Sequence, residues 1–96
     1  LAPDGTLLEA NRTSLEIVGA TAADVVGRPF WETPWWAHSA AVRERLREAI
    51  ARAAAGAFVR YETEHVGRHG EIMTIDFSLK PVRDADGRVT LLIPEG

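Results

Sequence analysis

The side chains with the most chemistry to offer are three histidines, His38, His65 and His69, and an aromatic run at Phe30, Trp31, Trp35 and Trp36. Imidazoles four residues apart converge on one metal when they share a helix face. His65 and His69 have that spacing, but on a strand and the turn that ends it, so no metal site is expected. Nucleophilic catalysis needs a hydroxyl or thiol beside a His–carboxylate pair. Ser14, Ser39 and Ser78 lack such neighbours, and the chain has no cysteine. Glu62 and Glu64 share a strand face with Arg60 and read as solvated or interfacial carboxylates, not as an acid–base pair in a cleft. Asp76 falls on the outer face of its strand. That leaves Glu9 as the inward carboxylate that a small cone-shaped α+β isomerase would need. Gly67-Arg68-His69-Gly70 is a hairpin turn, not a strand-to-helix loop that cradles phosphate. A non-catalytic domain is expected.

The tryptophans invite two readings. Indole rings bury large areas, and a buried N–H needs a partner. Trp31, Trp35 and Trp36 either form a lid over the core or wall a cavity and move with its occupancy. An aromatic wall suits a flat or apolar ligand, or a cation through its π face. His65 shares strand parity with Val59, Tyr61 and Thr63, so it is either a hydrogen-bonded structural residue or a ligand contact. His38, just before a helix, reads as an entry residue packed on Trp35 or Trp36. His69 reads as an exposed turn residue.

These groups are carried by 96 residues, 46% hydrophobic and 26% charged, enough for one modest core. The formal charge of −3, from 11 basic and 14 acidic residues, is well mixed and argues against a nucleic-acid surface. No apolar run is long enough to span a bilayer. The missing cysteines suit a reducing, cytoplasmic setting, although a parent protein could be membrane-anchored elsewhere. No targeting segment is visible, and the ends Leu1-Ala2-Pro3 and Pro94-Glu95-Gly96 read as those of one module, residues 1–96, cut from a longer polypeptide.

Turn signals at Pro3-Asp4-Gly5, Arg68-His69-Gly70 and Asp84-Ala85-Asp86-Gly87 divide the chain. Thr6–Ala10 is expected as a short strand. Asn11 caps a helix through Arg12–Val18 that stops at Gly19. Thr21 and Asp24 have the spacing of a capping box for a single-turn helix. Phe30–Trp36 is irregular. A long helix runs from Ser39 to Ala55, with Val42, Leu46, Ala49, Ile50 and Ala53 on one apolar stripe and Glu44–Arg47 and Glu48–Arg52 as surface pairs. Two alternating strands, Val59–His65 and Ile75–Lys80, follow, and Pro81 ends the pairing or sits at an edge. The more uniformly apolar stretch from Arg88 to Ile93 is expected to be a central strand. The order describes an α+β domain with helices on one face of an antiparallel sheet.

In this order and spacing the chain resembles the PAS sensory domain. The resemblance rests on Asp4-Gly5-Thr6-Leu7 leading to Asn11, on Leu15, Val18-Gly19 and Val26-Gly27-Arg28-Pro29, and on Gly56 and the Gly70 hairpin. Above all it rests on Leu79-Lys80-Pro81-Val82-Arg83-Asp84 with Gly87-Arg88-Val89. It covers nearly the whole chain. Two departures stand out. Only Leu1 and Ala2 remain of the family's first strand, out of about five in a complete domain. The chain also stops at Gly96, before the Asp-Ile-Thr-like signature that passes strain to a following helix.

The resemblance implies a sensory module that binds a small molecule or dimerises and relays its state to an attached effector. Trp35-Trp36-Ala37-His38 and Leu91–Gly96 look like the type found in bacterial sensor histidine kinases. The alternative is a domain of a cyclic-dinucleotide enzyme or transcriptional regulator that acts purely as an interaction module. The implied pocket lies between inward sheet residues Leu7, Tyr61, Thr63, His65, Ile75, Phe77, Leu79 and Leu92 and the helix stripe Val42, Leu46 and Ile50. Trp31, Trp35 and Trp36 stand beside it. The family's flavin–cysteine photochemistry has no cysteine to use here, and noncovalent flavin binding has no supporting motif. Haem would need a His on the long helix facing the pocket, and His38 lies outside that stripe. The cofactor is left open.

Overall fold

The computed structural model describes all 96 residues. Three helices, α1 (Arg12–Val18), α2 (Ala22–Val25) and α3 (Ala40–Ala54), precede three strands, β1 (Val59–Val66), β2 (Ile72–Arg83) and β3 (Val89–Glu95). The strands form an antiparallel meander in the order β1-β2-β3. Period-two patterning sets the register: Val59, Tyr61 and Thr63 lie opposite Leu79, Phe77 and Ile75 on the inward face. The outward face carries Arg60, Glu62 and Asp76, with an Arg60 Nε–Asp76 Oδ1 hydrogen bond of 3.0 Å between the strands.

The helix ends follow from their capping residues. The Asn11 carboxamide accepts from the Ser14 N–H at 2.8 Å, and α1 stops at Gly19, whose φ of 68° is left-handed. Thr21 and Asp24 close a capping box at the start of α2. Ser39 caps α3 by accepting from the Val42 N–H. Of the two expected surface pairs on α3, Glu44–Arg47 forms at 3.7 Å; Glu48 and Arg52 do not pair, and Arg12–Glu16 on α1 does.

Leu46, Ala49, Ile50 and Ala53 of α3 pack with Val59, Leu79 and Leu92 in one buried cluster. Val42, at the end of the stripe, is only half-buried. Gly5 allows a close approach on the other side of α3. Its φ is +93°, and a Cβ there would stand 2.5 Å from the Trp31 ring and 3.2 Å from Ile50.

Two expectations need correction, and one is settled between its alternatives. Thr6–Ala10 is not a sheet strand. Leu7 exchanges backbone bonds with Arg28 and Gly27, donating to the Arg28 carbonyl and accepting from the Gly27 N–H, and one bridge, Thr6–Pro29, is all that remains of a ladder. β3 is not central. β2 takes that place because it pairs with β1 through Ile72 to Leu79 and with β3 through Ser78 to Arg83, while β3 turns Leu91 and Ile93 outward and keeps only Leu92 fully inside. Leu1 fills part of β3's free edge, where its N–H donates to the Leu92 carbonyl and its carbonyl accepts from the Leu92 N–H at 2.8 Å. Pro81 takes the second of its two expected placements, at an edge. It lies opposite Leu92, past the end of β1, so its missing N–H faces the side with no neighbouring strand.

Candidate functional site

The irregular segment after Pro29 folds as two short 3₁₀ turns, Phe30–Glu32 and Pro34–Trp36. Thr33 sits between them, buried, and its hydroxyl donates to the Phe30 carbonyl at 2.6 Å. Pro34 starts the second turn, where a missing N–H does no harm. The turns drive Phe30, Trp35 and Trp36 inward and leave Trp31 half-buried beneath Arg47, 6.0 Å from its ring. Trp36 packs edge-on against Phe30 and Phe77, both at 5.4 Å between centroids, and against His65 at 6.5 Å. Edge-on contact sets the positive rim of one ring against the negative face of another.

Above this aromatic floor stands α1, which buries none of its seven residues. Between helix and floor is a hollow of about 410 Å³. Its inner wall is Leu7, Phe30, Trp35, Trp36, His65 and Phe77, all buried. Ser14 and Ile17 form its roof with Ala10 and Asn11, and Ile75 and Pro94 close one side. Glu9, Glu95 and Gly96 make an exposed rim. The Trp35 indole N–H donates to the Ser14 carbonyl at 3.0 Å and ties the floor to the roof.

Two polar atoms in this wall have no partner. The Trp36 Nε1 and the His65 Nδ1 are both enclosed without a hydrogen bond. Leaving such a group unpaired costs roughly 1–3 kcal/mol, and neither atom has surface open to the hollow. Both ring nitrogens of His38 and the Tyr61 hydroxyl are also unpaired, but neither residue lines the hollow. Burial pushes the Tyr61 phenol pKa up, and the Arg45 guanidinium, 4.3 Å from the ring centre, opposes that shift.

Of the residues picked out from the sequence, Leu7, Trp35, Trp36, His65, Ile75 and Phe77 meet around the hollow. Leu46, Ile50, Leu79 and Leu92 instead interlock in the buried cluster under α3. Val42 and Thr63 border a shallow groove with Arg45 and Glu62, Tyr61 lies beneath Arg45, and Trp31 packs near Gly5. The opening therefore lies under α1, not under α3. Sequence reasoning missed the α1 contribution of Asn11, Ser14 and Ile17. The one available signal was a seven-residue helix with only Leu15, Ile17 and Val18 to bury, too little to seal a sheet. His69 is exposed at its turn as expected, and both ring nitrogens of His38 are buried.

A three-stranded antiparallel sheet, a long helix packed on it and a short helix over an aromatic floor define an α+β module with a hollow about 410 Å³ in volume. The family model of the PAS fold matches residues 1–93. The chain belongs to the PAS family. It is 42% identical over 95 residues to hybrid signal transduction histidine kinase D of Dictyostelium discoideum, covering 97% of this chain and 6% of that protein. It is 39% identical over 97 residues to the sensor histidine kinase TmoS of Ectopseudomonas mendocina, covering 96% of this chain and 10% of that protein. The chain thus spans a tenth or less of the curated relatives it matches. Among solved structures, an RNA-binding light-oxygen-voltage receptor superposes with a TM-score of 0.72 at 32% identity, over 97% of this chain and 25% of that one. VqmA bound to DPO superposes with a TM-score of 0.78 at 22% identity, over 97% and 46% of the two chains, and shares the fold. No helix is long and apolar enough to cross a membrane.

Proposed function

We propose that this domain is the input element of a longer signalling protein, a sensor histidine kinase by the likeness of its relatives, and that it works by binding and not by bond-making. A small molecule enters the hollow under α1 and touches Leu7, Trp35, Trp36, His65, Ile75 and Phe77. The observation that carries this reading is the hollow itself, about 410 Å³ and bordered by buried aromatic rings. That volume is in the usual range of ligand pockets, roughly 300–1,000 Å³. The same hollow touches Pro94, Glu95 and Gly96, so an occupant bears directly on the end of β3. A ligand shifts output only through a difference in affinity between two conformations, and each tenfold difference supplies about 1.4 kcal/mol.

The attached effector is a kinase in this reading, and the domain pairs with a second copy through the outer sheet face, where Phe58, Leu91 and Ile93 are exposed. The VqmA dimer, seen in a solved structure, supports pairing as a mode open to this fold. The chain's lack of cysteine supports a reducing, cytoplasmic location. The second reading, a docking module in a cyclic-dinucleotide enzyme or transcriptional regulator, draws on the same outer face. Phe77→Ala in the parent protein separates them. Removing the ring enlarges the hollow's wall and should alter the signal response along with stability. A normal response from a weakened fold would make the hollow mere core and leave the docking reading.

A further inference from the structure

The strand order β1-β2-β3 leaves one side of β1 without a neighbouring strand. We propose that an extended segment of another protein, alternating basic with small apolar side chains, adds to that side as a further strand beside α3.

The register decides which backbone groups are free. In an antiparallel pair, opposed residues either exchange backbone bonds or turn both groups away. Gly67 and Glu71, where the hairpin turns, are bonded, the Gly67 N–H donating to the Glu71 carbonyl at 2.8 Å. By the same alternation Val59, Tyr61, Thr63 and His65 face β2, while Arg60, Glu62, Glu64 and Val66 turn their N–H and C=O groups to the open side. The Arg45 guanidinium bears this out, since it donates to the Glu62 carbonyl at 3.3 Å from outside the sheet. No loop of the chain bonds to these groups. A groove of about 290 Å³ runs along the edge, walled by Ala41, Val42 and Arg45 of α3 and by Glu62, Thr63 and Glu64 of β1. It shares no residue with the hollow under α1. A strand beside a groove next to a helix is the setting in which an extended peptide extends a sheet.

Charge selects the occupant. Successive side chains of an added strand alternate between the two faces of the sheet. Those on the outer face meet Glu62 and Glu64, both exposed and neither in an ion pair; Arg60, next on that face, is taken by Asp76. Lys or Arg at alternate positions complements them. Side chains on the groove face meet Ala41 and Val42 with Arg45 beside them, which admits a small apolar group and repels a cation. The edge therefore selects the alternation, not positive charge as such. Charged residues on an edge strand ordinarily prevent pairing between copies, and these do. Self-pairing centred on Glu62 sets that carboxylate against its own copy, and self-pairing centred on Thr63 sets Glu62 against Glu64 twice. Centred on Tyr61, it brings two Arg45 guanidiniums, each over a Tyr61 ring, to one axis. A strand of opposite charge meets none of these barriers.

The test uses three end-blocked peptides: Thr-Lys-Val-Lys-Val-Lys-Thr, its block-ordered isomer Lys-Lys-Lys-Val-Val-Thr-Thr, and the acidic Thr-Glu-Val-Glu-Val-Glu-Thr. Each is titrated into the chain by calorimetry, and amide exchange is read residue by residue by NMR. The alternating basic peptide is expected to bind at least about tenfold tighter than its isomer. It should also slow exchange at the Glu62 and Glu64 N–H groups by at least about tenfold. Glu62→Lys with Glu64→Lys changes two exposed positions and should reverse the preference, so that the acidic peptide binds about tenfold tighter than the basic one. If that variant does not fold, the wild-type exchange pattern decides. Equal binding of the block isomer would overturn the inference, because charge alone would then suffice. So would binding by none of the three, or slowing confined to Leu91 and Ile93, which would put the peptide on the outer face. Slowing at Glu62 and Glu64 that grows with protein concentration in the absence of peptide would overturn it in favour of a second copy. Each of these failures leaves the reading of the hollow standing, since edge and hollow are separate.

Discussion

α1 and α3 are both capped at their first turn by a polar side chain, Asn11 and Ser39, yet they stand in opposite relations to the sheet. α3 runs fifteen residues and buries Leu46, Ala49, Ile50 and Ala53, while α1 runs seven and buries none. Helices this short gain little from propensity, so burial decides how firmly each is held. α3 is fastened by area removed from water. α1 packs Leu15, Ile17 and Val18 only partly against the core. It is fastened besides by a cap, a glycine stop, the bond from the Arg68 N–H to the Ile17 carbonyl and the bond from the Trp35 indole to the Ser14 carbonyl. The difference separates two tasks: α3 and its strands supply the stability, and α1 with its floor supplies an opening.

The separation can be broken first at its strong end. Leu46→Ala removes a fully buried side chain and should cost about 2–5 kcal/mol in urea unfolding, with amide exchange in α1 unchanged in whatever remains folded. Equally faster exchange in α1 would mean that the two halves are one unit. Trp35→Phe comes next. It keeps a ring in the floor but cuts the tie to α1, and should cost about 1 kcal/mol. Amide exchange should speed up in α1 well before α3; uniform acceleration would refute the partition.

The smallest effect is in pH. Hydrogen bonds from the Thr21 N–H and then its hydroxyl hold the Asp24 carboxyl below its ordinary 3.8. The Thr6 N–H does so for Asp4, and the Arg60 guanidinium for Asp76. A depressed carboxyl stabilises the fold above its unfolded pKa and loses that contribution as pH falls through the folded value. This contribution should therefore decline below pH 3.8. Asp24→Asn should flatten part of that decline without altering binding in the hollow. All three carboxylates are exposed and away from the hollow, so a coupled change in binding would count against the division.

The sequence made the packed half readable and left the open half dim, for a physical reason. Periodicity reports which face of an element turns inward. Leu46 and Ile50, or Tyr61 and Phe77, are placed by counting residues. Caps such as Asn11 and Ser39 are legible because their chemistry is local. How far a helix stands from the sheet depends on volumes contributed by distant segments, and no spacing in Arg12–Val18 encodes it. The hollow's inner wall was half visible in Leu7, His65, Ile75 and Phe77, since parity points them inward. Its roof of Asn11, Ser14 and Ile17 was not. β3 was misplaced because apolar density suggests a central strand, whereas Leu91 and Ile93 face outward at the edge.

The uneven placement of the indoles gives the molecule a built-in optical gauge. Trp35 and Trp36 border the hollow, one with its N–H bonded and one without, while Trp31 lies apart near Gly5 and Arg47. Emission from the first pair should respond to a guest, and Trp31 should supply a steady internal baseline. Occupancy could then be read by light from the unmodified chain, with no dye attached.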